Sequence, residues 1–356
     1  MMTRLFFVLI FTFISFDQTL AKGCKRVNLL TKKWGMFSRQ MPLYDQGRSH
    51  ICYAYTAAQM LDYWRETHGG KIGRMKMGQS SPLYAALLTR LVYAPSERYK
   101  NSFGDAGGDT YDTLIGIRKY GMCQEHIVKE AMNSFAIKNK IDPTEFLIET
   151  EKYFSYHKDA EKTLWGKAWS TIGSLREYYA PGNLNIQKIQ QVMKPYTSGG
   201  NYMGFLTDVF KGCFGKKNIY LKSLKMPHPK RLWGDNPSKV YWTIRKLLEK
   251  KENPQPVGIG YCSKILTEKG FRGVDRVKGT GEVRPRMGCG GHASIIVGQR
   301  ERKGRCQFLI RNTWGNNCQV YKPAGWECKK DKDGKAAGVW VDANELSYNI
   351  LSVYHL

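Results

Sequence analysis

Acidic residues are scarce in this chain: 30 Asp and Glu face 56 Lys and Arg over 356 residues, for a formal net charge of +26. Such an imbalance says nothing about fold, but it draws a protein toward polyanions such as nucleic acid, anionic glycans or a membrane surface. The excess is concentrated from Lys211 to Lys251, where twelve Lys or Arg stand against Asp235 and Glu249 alone. No zinc-finger spacing or aromatic sheet signature accompanies it, so specific nucleic-acid recognition is not expected. The stretch reads as a solvated face with weak affinity for polyanions or anionic surfaces. Beyond the first residues there is also no apolar run long enough to cross a bilayer, which leaves the mature protein without a transmembrane segment. Internal repeats and low-complexity linkers are missing too, and with them solenoid and tethered-module architectures.

What is present begins at the N-terminus. Arg4 precedes an apolar run from Leu5 to Phe11 that continues with little interruption to Phe16, and Thr19-Leu20-Ala21 stands ahead of Lys22. A charged start, a short apolar centre and small residues at a cleavage point describe a signal peptide over residues 1–21. The mature chain is therefore expected to be secreted or periplasmic. A lipid anchor on Cys24 is disfavoured by Lys22 just before Gly23. Nine cysteines in an exported chain cannot all pair, so one is left over. If that one is Cys52, the other eight can form four bridges, with Cys318 and Cys328 the easiest local pair.

Leu43 to Gly47 reads as a loop that delivers Cys52 to the start of a helix, whose core face carries Ala54, Ala57, Ala58, Met60 and Leu61 and which ends before Gly69-Gly70. Ser81-Pro82, a cap followed by proline at the first turn, opens a second helix through Leu87 and Leu88. A third runs from Asp109 to Tyr120 and stops at Gly121. The middle of the chain holds helical pieces: Phe146 to Phe154 after Asp142-Pro143, Phe205-Leu206 with Val209-Phe210, and Val240 to Leu248 after Asn236-Pro237. From Pro256 the pattern changes to short β-branched and aromatic runs at Val257–Tyr261, Ala293–Val297, Cys306–Ile310, Gly338–Val341 and Ile350–Tyr354. Helices first and strands last predict an α+β architecture.

Three separated segments carry chemistry. They are Gln46-Gly47-Arg48-Ser49-His50-Ile51-Cys52-Tyr53, then Gly290-Gly291-His292-Ala293-Ser294, and Ile310-Arg311-Asn312-Thr313-Trp314-Gly315. A thiol at a helix start is stabilised as thiolate by the unsatisfied N–H groups there. A histidine can take its proton and return it to a leaving group, and an asparagine can fix that histidine's tautomer. A glutamine amide, with the backbone N–H of Cys52, can hold a developing oxyanion. Each residue also has a plain structural reading: a disulfide for Cys52, a satisfied core ring for His292, a strand-end turn for Asn312 and a solvated loop side chain for Gln46.

Taken together the segments resemble the papain family of cysteine peptidases. The resemblance covers Pro42 to about Tyr120 and Pro254 to the C-terminus. It implies a two-lobe α+β fold: a helical lobe at about 40–130 with the cysteine, and an antiparallel, barrel-like β lobe at about 256–356 with His292 and Asn312. The mainly helical insertion of about 131–255 has no counterpart in it. It also implies that Cys52, His292, Asn312 and Gln46 are catalytic, that Trp314 shields the His292–Asn312 contact, and that Gly107 and Gly108 line the substrate groove. Asp109 would then border a pocket that favours polar or basic side chains. Gly291 leaves the His292 ring approachable. Polypeptides are the expected substrates, no metal or other cofactor is called for, and a monomer is expected.

Departures from the family pattern are equally visible. Tyr53 follows the cysteine where tryptophan is usual, Asn312 is followed by Thr313 rather than serine, and Ser49 replaces a common cysteine whose partner near Asp105 is missing as well. Loss of both halves suggests that the helical lobe is held otherwise, through Cys24 and Cys123. About thirty residues separate Ala21 from Cys52, too few for the family's inhibitory N-terminal segment. Two other readings remain open: a different Cys-His acyl transferase, and a non-catalytic scaffold that binds polyanions or a protein partner through the basic insertion.

Overall fold

In the computed structural model, helix α1 spans Cys52–His68, starting on the cysteine and stopping at the residue before Gly69. Residues 23–30, 44–46, 51–68, 79–92, 108–142, 191–192, 208–213, 226–252, 254–277, 279–315, 317–331, 334 and 336–356 are described. The signal segment 1–21, the helix anticipated at 146–154, Phe205-Leu206 and Gly107 lie outside them. The chain divides into two compact units, Tyr44–Lys230 and Met1–Leu43 with Arg231–His355.

The first unit is helical. Every residue of α1 from Tyr53 to Arg65 is buried, so the polar side chains at spacing three, Thr56, Gln59, Asp62 and Arg65, lie inside as well. Buried polar groups need partners. Gln59 Nε2 donates to Tyr55 O at 3.2 Å, Asp62 faces Arg65 at 3.1 Å, and Ser80 donates to Asp62 from its N–H at 3.1 Å and its hydroxyl at 2.5 Å. Ser80 leads into α2 (Pro82–Val92), where Ser81 Oγ accepts from Tyr84 N as the cap expectation required. Helix α3 (Thr110–Tyr120) is capped by Asp109, whose Oδ1 accepts from Tyr111 N at 2.7 Å. It ends on Gly121, which has a φ of 91° and donates to Ile117 O. Helices α2 and α3 approach closely at Gly116, where a Cβ would lie 2.8 Å from Leu88 O.

Sequence reading missed α4, Glu125–Lys138, and the boundary placed at 130/131 falls inside it. Its buried stripe is short, Val128, Met132 and Ala136 at spacing four, among otherwise polar residues, so its apolar signal is thin. Cys123, just ahead of α4, pairs with Cys213 in a short 3-10 turn at Lys211–Cys213.

The second unit is built on an eight-stranded sheet. Its strands are β1 (Val27–Asn28), β2 (Lys230–Trp233), β3 (Val257–Cys262), β6 (Gly291–Arg302), β7 (Arg305–Arg311), β8 (Glu327–Lys330), β9 (Ala336–Asp342) and β10 (Ile350–His355). They run β2-β10-β3-β6-β7-β9-β8, with β1 added on β6. All five expected strands are present. The sheet is antiparallel at each of β1–β6, β3–β10, β3–β6, β6–β7, β7–β9 and β8–β9. It is open among the described residues, since the order ends at β2 and β8, and this corrects the barrel-like expectation. A separate hairpin pairs β4 (Val274–Arg276) with β5 (Val283–Pro285).

Strand β6 is buried without a break from His292 to Gln299, as befits a central strand covered on both faces. Its Gly298 is required by β1: a Cβ there would meet Val27 O at 2.6 Å. Helix α5 (Pro237–Leu248) starts as expected on an Asn236 cap and packs Val240, Tyr241, Ile244, Leu247 and Leu248 inward, with Tyr241 5.9 Å from the Phe308 ring. The short helix α6 (Ala343–Ser347) is capped by Asp342.

Three disulfides lie in this unit: Cys24–Cys306, Cys262–Cys289 and Cys318–Cys328. The local pair is the one expected. The Cys24 and Cys123 expectation is corrected, because Cys24 ties the N-terminal segment to β7 while Cys123 alone serves the helical unit. Two buried polar side chains reinforce that N-terminal attachment: Arg245 Nη2 donates to Gly23 O at 2.7 Å and Gln299 Nε2 to Lys25 O at 2.9 Å. Arg245, one of the twelve cations of the basic stretch, thus turns inward. The stretch is not a single solvated face. Among the described residues no helix is long and apolar enough to cross a membrane, and no cluster of His, Cys, Asp or Glu is arranged to hold a metal ion.

Candidate active site

Eight of the nine cysteines are in disulfides, and the ninth is Cys52, a partly exposed thiol. It is the first helical residue of α1, with the buried Ile51 as the residue before it; Ile51 O accepts from Ala54 N and Tyr55 N. A sulfur there sits against the positive end of the helix dipole, which favours its anion. In the same unit Gln46 is buried rather than solvated, with 9% of its surface exposed. Its neighbour is fastened to the cysteine helix: Tyr55 OH donates to Asp45 O at 3.4 Å, and the Tyr44 and Tyr55 rings meet edge to face at 5.3 Å.

The residue after the cysteine packs on the segment that leads into α3. A Cβ on Gly108 would lie 2.2 Å from Tyr53 Cζ, so the Tyr53 ring rests on bare glycine backbone. Thr110 Oγ1 donates to Tyr53 O at 3.3 Å. Gly108 is therefore needed by Tyr53. Asp109 has its Oδ1 engaged in capping α3.

In the β-rich unit His292 is the second residue of β6 and Asn312 follows the last residue of β7. The register that pairs Ile295 with Arg311 sets Asn312 beside Ser294 and diagonal to His292 on one face. His292 Nε2 lies 2.7 Å from Asn312 Oδ1. Three further contacts fix that amide. Thr313 N donates to Oδ1 at 2.9 Å, Ser294 Oγ donates to Oδ1 at 3.2 Å, and Asn312 Nδ2 donates to Tyr321 OH at 3.1 Å.

A backbone N–H can only donate, so the atom facing Thr313 N must be the amide oxygen. An oxygen acceptor in turn requires the proton of the neutral imidazole to be on Nε2. The lone pair is then on Nδ1. Trp314, half-buried, lies 5.1 Å from the His292 ring at an interplanar angle of 36°, and its ring stacks with that of Tyr321 at 6.4 Å. Tyr261, the cross-strand partner of His292, closes the ring edge to face at 5.7 Å.

Burial dominates the electrostatics. His292 is 8% exposed, and desolvation pulls its pKa down to about 4, only partly opposed by the Asn312 hydrogen bond. Within its own unit the ring is neutral at neutral pH. Gly291, which precedes it, is exposed at the strand start.

The structure thus brings His292, Asn312 and Trp314 together and sets Cys52 and Gln46 in the helical unit, with Gly107 outside the described residues. Sequence reading missed Ser294, Tyr261 and Tyr321. Ser294 was readable in principle, because two residues along a strand return to the same face as His292. Tyr261 and Tyr321 come from other elements and carried no such signal.

No family model matches the sequence, and no curated protein matches it. Among solved structures, the chain is similar to xylellain, a cysteine protease from Xylella fastidiosa, at 16% identity and a TM-score of 0.43 over 94% of this chain and 87% of that one. It is similar to SERA5E from Plasmodium falciparum at 15% identity and a TM-score of 0.42, over 94% and 95%. For the bromelain protease from Ananas comosus in complex with the E64 inhibitor the values are 12% and 0.38, over 93% and 97%.

Proposed function

We propose that this protein is an exported cysteine peptidase in which Cys52 and His292 act together on a peptide bond. The observation that carries the reading is the His292 Nε2–Asn312 Oδ1 hydrogen bond, which leaves Nδ1 as the basic atom, in a chain whose one thiol opens a helix. The Cys52 proton passes to His292 Nδ1 and the sulfur attacks the scissile carbonyl carbon. The oxygen becomes an anion held by the Gln46 amide and the Cys52 backbone N–H. Collapse breaks the C–N bond as the imidazolium protonates the leaving amine, giving an acyl-thioester. Water, its proton taken by His292, then releases the carboxylic acid and restores the thiol. A thiolate near Nδ1 stabilises imidazolium and opposes the desolvation that keeps the lone ring neutral.

The four disulfides suit an extracellular or periplasmic destination, and polypeptides are the substrates. The test is labelling with an irreversible peptidyl epoxide. It should modify Cys52 alone and abolish hydrolysis of denatured protein, and Cys52→Ala should be inactive while folded. Labelling without any peptide hydrolysis would point to a different acyl transferase. An inert wild type whose binding to heparin is unchanged by Cys52→Ala would point to a scaffold.

A further inference from the structure

Behind the His292–Asn312 pair lies a second layer of polar groups in the sheet that the reaction itself does not use. Ser294 and Tyr261 have no exposed surface, and Asn312 is 2% exposed. Tyr261 OH and Ser294 Oγ are 3.1 Å apart, and Ser294 Oγ is 3.2 Å from Asn312 Oδ1. The direction of this chain follows from its end. Asn312 Oδ1 is fixed as an acceptor by Thr313 N–H, so Ser294 must donate to it, and the serine oxygen then accepts the Tyr261 hydroxyl proton.

We propose that Ser294, oriented by Tyr261, is a positioning residue that holds the Asn312 amide in one orientation and thereby keeps the His292 proton on Nε2. The inference rests on the peptidase reading for its consequence in catalysis, though not for its geometry. Asn312 is gripped at both ends: Ser294 and Thr313 N–H point at its oxygen, and Tyr321 OH receives its NH₂. Turning the amide over would set NH₂ against two donors. His292 Nε2–H shares that oxygen as the nearest of its three donors, at 2.7 Å. Loss of the serine hydroxyl removes one of the two donors that define the amide oxygen.

The experiment is Ser294→Ala, with Ser294→Thr as the variant that retains a hydroxyl, read in two ways. Long-range ¹⁵N NMR of His292, taken in the Cys52→Ala background where no thiolate favours the imidazolium, should show the Nε2–H tautomer with Ser294 in place, an admixture of Nδ1–H with Ser294→Ala, and its disappearance with Ser294→Thr. Peptide hydrolysis with Cys52 intact should lose roughly five- to tenfold in kcat with KM unchanged, the rate equivalent of about one hydrogen bond. If Ser294→Ala fails to fold, Tyr261→Phe removes the other hydroxyl of the chain and is read the same way. An unchanged tautomer in the folded variant overturns the proposal, whether or not kcat falls. A wild type that cleaves no peptide but shows the tautomer response sinks the peptidase reading alone.

Discussion

The ring of Tyr53 occupies the space that a side chain on Gly108 would need, with an added Cβ only 2.2 Å from Tyr53 Cζ. Tyr53 directly follows Cys52 on α1, so crowding at Gly108 is transmitted to the first turn of the helix. Gly108→Ala should destabilise the protein by about 1–3 kcal/mol in urea unfolding. It should also alter the alkylation rate of Cys52 in the folded state. A stable variant with an unchanged rate would show that the ring can move aside without consequence.

The titration of His292 has a defined sign. Its folded pKa of about 4 lies below the 6.5 of the unfolded chain, so between these values the unfolded state binds the proton first. Stability is full above pH 6.5 and falls as the pH drops toward 4, by roughly 3 kcal/mol from this group alone. Cys52→Ala isolates the effect, since no thiolate then favours the imidazolium. His292 in that variant should titrate near 4 by NMR, and higher in the wild type if the ion pair forms. Replacing His292 by Gln in the Cys52→Ala background should flatten that part of the stability curve.

Gln46 is buried although Asp45 beside it is exposed. On the proposed mechanism it donates to the oxyanion in the transition state, so Gln46→Ala should lower kcat by about 10²-fold, or roughly 3 kcal/mol, with little change in KM. Steady-state kinetics on a peptide amide measures this directly. An equal rise in KM at constant kcat would place Gln46 in ground-state binding instead.

Asp62 links α1 to the start of α2 through Ser80 and faces Arg65. Burial raises its pKa, against the pull of Arg65 and of the Ser80 hydrogen bonds. Asp62→Ala takes the anion from the guanidinium and the acceptor from two Ser80 donors, and should cost about 3–5 kcal/mol of stability. Denaturant titration with circular dichroism would register the loss.

Much of this arrangement was legible because short-range rules govern it. Asn236-Pro237, Ser81-Pro82, and Asp109 with Gly121 at the two ends of α3 mark helix boundaries through local hydrogen bonding, and the helices begin and stop there. The five expected strands are apolar enough to announce burial. Helix α4 was hidden because only one residue per turn faces the core. Strands β2 and β8 were missed because their burial is at most partial and charged residues make up half of β2 and most of β8. Cys24–Cys306 spans 282 residues, and no spacing rule reaches so far. At the site, Cys52, His292 and Asn312 were readable as residue types in order. Ser294, Tyr261 and Tyr321 act through a cross-strand register and loop placement that only the folded chain specifies.

The Cys24–Cys306 bridge closes a ring of chain that also encloses Cys123–Cys213 and Cys262–Cys289. A single cut at any bond between residues 24 and 306 therefore opens the ring without separating the pieces. A molecule nicked once there migrates as one covalent body until a reductant is added. Cleavage and dissociation are thereby uncoupled over most of its length.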